Sequence, residues 1–564
     1  MKKNSFIEGT IFASLSFLII KFLGAIYVIP FYAIVGELGG ALYSYAYTVY
    51  SLIVNICTIG IPHAISKIIS EYNTLEMYEA KERTYKIGNK IMIVLSTVLF
   101  LLMFIFAKEA AYIFIGDIDS TGNSIEDVVL VIRSISFCLL IVPYLAVKRG
   151  YLQGQKFITV STTGEVIEQV VRVAFILVGS YLAINVFGAK TSVGVAIAVF
   201  GAFIAGLAAY IYLEVKIRKN KKEFNMPAKN QKDQVTDKTI LKKIVSFSIP
   251  LMIVSITTDL YNMTDLSLII RGLGYLGYSG KVAETIGSIM ATWATKICLI
   301  VNAITFGLTI NIIPHMSANY VKKDYKAINS QFIKSIAMVI VIGLPMSVGI
   351  SLLAEEVYYI FYGYSEYGAI ILRFLPFSVM LGNINMVVNT SLQSLDKFKT
   401  IYITTFAGLL TNAILDVPLM ILCDKVGIYP YYGAIISTII GSSLALFISL
   451  KRLKKDMKFK YKDLLTILKK SIVPLLSMSA IVFILERLIA PFFTTRITSI
   501  ITCTICAVVG AIVYGVLAYK NNLLYDSLGK EYVDEILTKL RLKKKNWYRK
   551  LYQFLFTITL KWIW

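Results

Sequence analysis

Lys21, Arg133, Arg172 and Lys296 lie inside long apolar runs, as do the carboxylates of Glu165, Glu168, Asp259, Asp265 and Asp416. A charge at the centre of a membrane-crossing helix costs at least ~2.5–3.5 kcal/mol, so each of these residues is a candidate for a polar passage through the bilayer. The cations suit an anionic group. Asn412 and Asp416 are spaced i,i+4 and share a helix face, and Thr438 adds a hydroxyl from the next apolar run. A carboxylate, an amide oxygen and a hydroxyl are donors that a hard cation accepts; a local polar network is the alternative. Glu168 and Arg172 are also i,i+4, where an ion pair lowers the cost of insertion. A buried gluing pair and a gating or anion-binding role both remain open for them, because a buried pair is not in itself a sign of stability.

The elements that must position these residues are membrane helices. The 564 residues are 57% hydrophobic, with a mean hydropathy of +0.70. A soluble domain sits near roughly 45–50% apolar. Runs of about 20 apolar residues recur from end to end, enough to cross about 30 Å of hydrocarbon. The first run continues past Pro30 without a small-residue cleavage site and reads as a retained span, not a signal peptide. Spans are expected at 7–34, 41–69, 85–107, 126–147, 158–186, 193–216, 244–269, 285–315, 329–354, 367–392, 400–422, 432–450, 467–489 and 497–519, fourteen in all.

The net charge of +23 is concentrated in particular loops. "YEAKERTYK", "KRGYLQGQK", "IRKNKKEF", "VKKDYK", "DKFK", "KRLKKDMKFKYK" and the tail "KLRLKKKNWYRK" follow spans two, four, six, eight, ten, twelve and fourteen. The odd loops are short, neutral or acidic, as in "GDIDSTGNSIED". Positive-inside topology accounts for this alternation without a nucleic-acid partner and puts both termini in the cytoplasm. The segment "LYQFLFTITLKWIW" mixes aromatics with Lys and reads as an amphipathic tail on the inner leaflet, in contact with membrane lipids.

The two histidines close two copies of "IPH", at Ile61–His63 and Ile313–His315. "EAAYIFIG" and "LQGQKF" follow the first copy; "EVYYIFYG" and "LQSLDKF" follow the second, at offsets of 252, 247 and about 240 residues. An ordered trio at near-constant spacing reads as a duplication. Six spans separate the copies, so the halves are parallel repeats. His63 and His315 then occupy equivalent positions at helix ends, where a helix-end or pH-modulating role is the better reading than a shared metal site. Pro62 and Pro314 should kink or break their helices as gating hinges. The six cysteines lie in apolar segments, and the Cys503–Cys506 CxxC falls inside the last span, so no structural metal is expected.

"KFLGAIYVIPFYAIVGELGGALYSYAYTVYSLIVNICTIGIPHAISKIISEYN" resembles the opening of the multidrug/oligosaccharidyl-lipid/polysaccharide (MOP) exporter superfamily. "VIRSISFCLLIVPYLAVKRGYLQGQ" and "EVIEQVVRVAFIL" are similar to the Gram-positive branch with YtgP-like and stage V sporulation protein B-like members, relatives of the MurJ lipid II flippases. The resemblance covers nearly all of residues 1–520. It implies an all-α integral membrane protein of about fourteen helices in two parallel-repeat lobes around a central cavity. It also implies export of a lipid-linked sugar by alternating access, with no enzymatic activity. Residues 1–225 are expected as the N-terminal lobe, 226–243 as a cytoplasmic basic linker and 244–450 as the C-terminal lobe. Spans thirteen and fourteen take 451–520, and the cytoplasmic tail takes 521–564.

Lys21 in "KFLG" and Lys296, placed before "IIPH", match cations of MurJ-like members and are the first choices for a pyrophosphate head group; snorkelling is the alternative for Lys21. Arg172, Arg133 and Glu168 complete the head-group set. Further arginines of that family in spans one and two are absent; Tyr27, Val54 and Asn55 occupy that region. "NAILD" matches the sodium-binding pattern between spans seven, eleven and twelve at Asn412 and Asp416, with Thr438 nearby and Asp265 or, as alternate, Asp259 as the span-seven carboxylate. A sodium ion or a proton is the expected coupling ion, and no other cofactor is expected. The resemblance favours a lipid II flippase of the bacterial plasma membrane. A flippase for another lipid-linked oligosaccharide, of capsule or spore wall, is a close second. A cation-coupled multidrug antiporter usually has twelve spans. A membrane polymerase or glycosyltransferase would want a large outer loop, and no HExxH or P-loop motif appears. A scaffold docked on cell-wall synthesis proteins does not account for the intramembrane charges. Reporter fusions should place both termini in the cytoplasm; an active periplasmic-type reporter at either end would refute the loop-charge topology.

Overall fold

The computed structural model describes residues 16, 19–116, 121–220, 235–457, 459, 461–489, 495–530, 533 and 534. The C-terminal amphipathic segment and residues 226–234, half of the basic linker, lie outside these. Among the described residues every regular element is helical, and thirteen stretches are long and apolar enough to cross a membrane. The first, Ile19–Thr74, is 56 residues long. A straight helix of that length would run about 84 Å, nearly three bilayer cores. Gly36 interrupts it with φ 68° and ψ −170°, between the first two expected spans. The remaining twelve stretches correspond to spans three to fourteen.

Large apolar side chains face outward along these helices, such as Val94, Val98, Leu101 and Leu102 on span three and Leu465, Val473 and Leu476 on span thirteen. A lipid exterior tolerates such faces where water would not. The chain divides into two compact units. One draws on Met1–Ile297 and Thr405–Gly441, the other on Cys298–Thr404 and Ser442–Trp564.

The sequence duplication is written into the backbone. Residues with positive φ pair across it: Gly36 with Gly277, Glu76 with Lys323, Gly116 with Gly363, Lys156 with Asp396 and Gly188 with Gly427. Each pair sits at the corresponding turn of the two halves. The "LQGQKF" and "LQSLDKF" turns close alike, the Phe157 N–H donating to the Leu152 carbonyl and the Lys397 N–H to the Leu392 carbonyl, both at 2.9 Å. This is a left-handed cap that satisfies the last carbonyls of a helix. "EAAYIFIG" and "EVYYIFYG" both form nine-residue helices, Ala107–Ile115 and Ala354–Tyr362, stopped by Gly116 and Gly363.

Spans eleven and twelve approach closely because Gly433 and Gly441 carry no side chain. A Cβ on Gly433 would lie 2.4 Å from the Leu419 and Met420 backbone, and one on Gly441 would lie 2.7 Å from the Gly408 carbonyl. Ser437 is midway between these glycines, giving a small-xxx-small stripe that admits a second helix. Span seven closes on span two in the same way: a Cβ on Gly60 would meet the Ser248 carbonyl at 2.7 Å. Gly433→Ala should therefore force spans eleven and twelve apart and lower stability by about 1–3 kcal/mol, read as a reduced thermal midpoint in detergent. Gly382→Ala, where a Cβ meets nothing within 4 Å, is the control and should leave that midpoint unchanged.

Candidate functional site

A π-turn at Ile289–Trp293 widens span eight just before Lys296. Such turns carry an extra residue per turn and redirect the side chains that follow. Trp293 becomes fully buried and packs against Gly40, where a Cβ would come 2.7 Å from its indole nitrogen. The Lys296 ammonium then sits 4.6 Å from the Trp293 ring centroid, 4.7 Å from that of Tyr43 and 5.4 Å from that of Tyr27. It donates to the Tyr27 hydroxyl at 3.4 Å, and Tyr27 in turn bonds Tyr43 at 2.8 Å. Each desolvated ring face offers the cation up to about 2 kcal/mol. Among the described residues no carboxylate pairs with Lys296; its contacts are the three ring faces and the Tyr27 hydroxyl.

Tyrosines lead from this cage along span two. Tyr43 stacks on Tyr47 at 4.3 Å, and Tyr47 meets Tyr50 edge-on at 5.9 Å. Tyr47 and Tyr50 lie in the neighbourhood of Arg172. Arg172 donates to one oxygen of Glu168, as its i,i+4 spacing anticipates. Arg149, from the basic end of span four, donates to the other oxygen at 2.6 Å.

A second cluster joins spans seven, eleven and twelve. The Asn412 amide donates to Asp265 at 2.9 Å. The Ser437 hydroxyl lies against Asp416 and is 3.0 Å from the Asn412 side-chain oxygen and 2.9 Å from the Ala434 carbonyl. Asn412, Asp416 and Ser437 are all fully buried. Thr438 bonds the Ala434 carbonyl at 3.0 Å and interacts with Asp265. One hydroxyl proton serves only one acceptor, so acceptors outnumber donors here. The second Asp416 oxygen, Oδ2, is buried with no hydrogen-bond partner. Two carboxylates brought this close in a dry site need a proton or a cation between them. The donor set is all hard oxygen, which suits sodium and not a transition metal.

The other predicted residues stand apart from these clusters. Asp259 accepts from Asn55 at 2.8 Å, one to two helical turns from Asp265 on span seven. Arg133 is exposed and directs its Nε to the Phe104 carbonyl at 3.2 Å. Lys21 is exposed, midway along span one and near the start of its described part. At Pro62 the chain is interrupted, one helix ending at Thr58 and the next starting at Gly60, so Pro62 sits in a first turn where its missing N–H costs nothing. The helix Ala294–Val321 instead continues past Pro314. His63 is exposed and its Nδ1 lies 2.7 Å from the Ile59 carbonyl, a bond across that helix break.

Residues 6–275 match the family described as polysaccharide biosynthesis protein, and residues 250–417 match the MatE family. The chain is 29% identical to the lipid II flippase MurJ of Bacillus subtilis (strain 168) over 93% of this chain and 97% of that one. It belongs to the MOP superfamily, in its polysaccharide-synthesis and MurJ-like branch. Stage V sporulation protein B of the same organism is 22% identical over 67% of this chain and 71% of its own. The fold matches a MurJ lipid II flippase in an inward closed conformation with a TM-score of 0.62 at 15% identity, covering 92% of this chain and all of that one. It matches an inward-facing multidrug-resistance MATE transporter with a TM-score of 0.59 at 15% identity, covering 77% and 99%. As a MOP member the chain is a multi-pass membrane transporter and not an enzyme.

Within this MOP exporter, four contributors escaped the sequence reading. Trp293 and Tyr43 look like any aromatic on an apolar face, and only their packing in the fold shows that they meet on Lys296. Arg149 lies in a basic loop motif whose charge the topology alone explained. Ser437 was passed over for its neighbour Thr438, although the Gly433–Ser437–Gly441 spacing marks the face that meets span eleven.

Proposed function

We propose that this transporter is a flippase for undecaprenyl-linked peptidoglycan precursor, lipid II, moved from the inner to the outer leaflet by alternating access. The observation that carries the reading is the Lys296 ammonium, caged by three rings and lacking a carboxylate partner among the described residues. A buried amine with no resident carboxylate suits a mobile anion that would favour its protonated form on arrival, and a pyrophosphate head group is a compact one. Similarity to MurJ across nearly the whole chain supports lipid II as that cargo. The similarity to stage V sporulation protein B supports a second reading, in which the cargo is a spore-wall oligosaccharide on the same lipid carrier.

In the reading adopted here, Lys296 and Lys21 bind the phosphates while the polyprenyl tail stays in lipid, and both termini are cytoplasmic. Asp265, Asn412, Asp416 and Ser437, with Thr438 beside them, hold the coupling cation, sodium or a proton. That ion supplies the positive charge the acceptor-rich cluster lacks. A charge crossing 100 mV gains about 2.3 kcal/mol, enough to bias a two-state equilibrium separated by a few kcal/mol.

In liposomes, the protein should translocate labelled lipid II faster than a capsule-type lipid-linked sugar. Replacing Lys21 and Lys296 together with Ala should abolish translocation, and rescue of flippase-depleted cells, while the protein still inserts; normal translocation would remove the head-group role. Separately, Asp416→Asn should weaken the dependence of translocation on sodium or membrane potential. Retention of the full dependence would exclude the cluster as the coupling site.

A further inference from the structure

Glu168 is buried and holds two guanidiniums at once. Its Oε1 takes Arg172 and its Oε2 takes the Arg149 NH2 at 2.6 Å. A carboxylate fits a single arginine best, accepting two parallel bonds from one fork. Shared between two arginines, it uses one arm of each. The Nε of Arg149 and the Nε of Arg172 are both buried without a hydrogen-bond partner. Glu165 approaches Arg149 Nε only at 4.0 Å, beyond hydrogen-bond reach. Around Arg172 stand Tyr47, Tyr50 and Cys138, none of which carries a compensating charge in its ordinary neutral form. Two aligned cations with two unused donors are a poor match for a carboxylate. They are a good match for a tetrahedral phosphate, whose several terminal oxygens can accept a full fork from each arginine.

The side chains are not sealed off: Arg149 and Arg172 keep 18% and 22% exposure and Glu168 keeps 10%, although the two Nε atoms are themselves buried behind the carboxylate's partners. The tyrosine ladder connects them to the Lys296 cage within the same compact unit. We propose that Arg149 and Arg172 form a two-armed phosphate clamp for the lipid-linked cargo, and that Glu168 is its resident occupant, displaced when the cargo's phosphate arrives. Glu168 thereby keeps two arginines ordered between cycles, and competes with cargo for them. This deepens the flippase reading and rests on it. It assigns binding to Arg149 and changes Glu168 from a cargo ligand to a competitor.

The test measures the affinity of the purified full-length protein, in neutral-lipid nanodiscs, for undecaprenyl pyrophosphate. Glu168→Gln should bind it about tenfold more tightly, the factor carried by roughly one charge-assisted hydrogen bond. Adding Arg149→Gln and Arg172→Gln should abolish that gain. Arg149→Lys with Arg172→Lys retains charge but loses the forks, and should bind about tenfold more weakly than wild type. A triad with a structural role alone would not tighten binding when its carboxylate is neutralised. Unchanged or weaker binding by Glu168→Gln overturns the proposal, as does an equal gain for phosphatidylglycerol, which would assign the clamp to bilayer lipid. If Glu168→Gln does not fold, Glu168→Asp gives the same comparison, with a smaller gain expected and no gain overturning the clamp. Lipid II translocation by wild type alongside unchanged Glu168→Gln affinity would remove the clamp and leave the flippase reading standing; absence of translocation would remove the latter.

Discussion

An ionisable side chain buried in a helix bundle survives only where other groups replace its water, and this chain does so in three different ways. Lys296 is surrounded by ring faces, which stabilise the charge without neutralising it. Arg149 and Arg172 divide a single carboxylate between them. Asp265 and Asp416 crowd into a cluster with more acceptors than donors. The first two arrangements gather basic groups and the third gathers carboxyl groups. Each leaves a surplus, of cation, of N–H donors or of lone pairs. A protein selected for stability alone would replace such groups with apolar ones of similar volume, often at no loss. Their incomplete satisfaction therefore points to partners that come and go.

Holding these arrangements requires backbones to approach more closely than ordinary side chains permit. Gly40 makes room for Trp293, and Gly433 and Gly441 bring Ser437 onto Asn412 and Asp416. Gly150 similarly meets the Pro62 carbonyl, where a Cβ would come within 2.5 Å. Without a hydrophobic driving force between helices in lipid, this close van der Waals contact is what orders them. The paired left-handed turns add a second constraint, since each fixes where a helix stops and the next begins.

These turns also explain what the sequence revealed and what it withheld. Span positions were legible because hydrocarbon thickness imposes a length and loop charge alternates from loop to loop. Gly36 hid inside a continuous helical stretch, so the first two spans merge by length although they are separate by position. The duplication was legible from three short motifs; the turns at Glu76 and Lys323 and at Gly188 and Gly427 extend it where side-chain identity has been lost. Charged site residues announced themselves by their cost in lipid. Trp293, Tyr43 and Ser437 did not, because an aromatic or small polar residue in a membrane helix is unremarkable until its rotation about the axis is known. That rotation at Trp293 depends on a π-turn that breaks the 3.6-residue periodicity from which a face would be inferred.

Span seven supplies the physical link between the positive and negative clusters. Its Asp259 bonds Asn55 of span two, and its Asp265 bonds Asn412 of span eleven. Span two also carries Tyr43, Tyr47 and Tyr50, the rings that run from the Lys296 cage towards Arg172. Pro250 interrupts the hydrogen-bond ladder of span seven on the side of Asp259 away from Asp265, so the segment between the two aspartates is regular helix with a weakened point at one end. A shift of Asp265 would therefore be carried along a short, unbroken helix to Asn55 and the start of the tyrosine ladder. Packed helices switch between discrete arrangements and do not deform continuously, so such a shift would favour one arrangement of the cation-bearing helices over another. On the proposed flippase reading, a coupling ion acting through Asp265 and Asp259 would change the grip on the cargo without touching it.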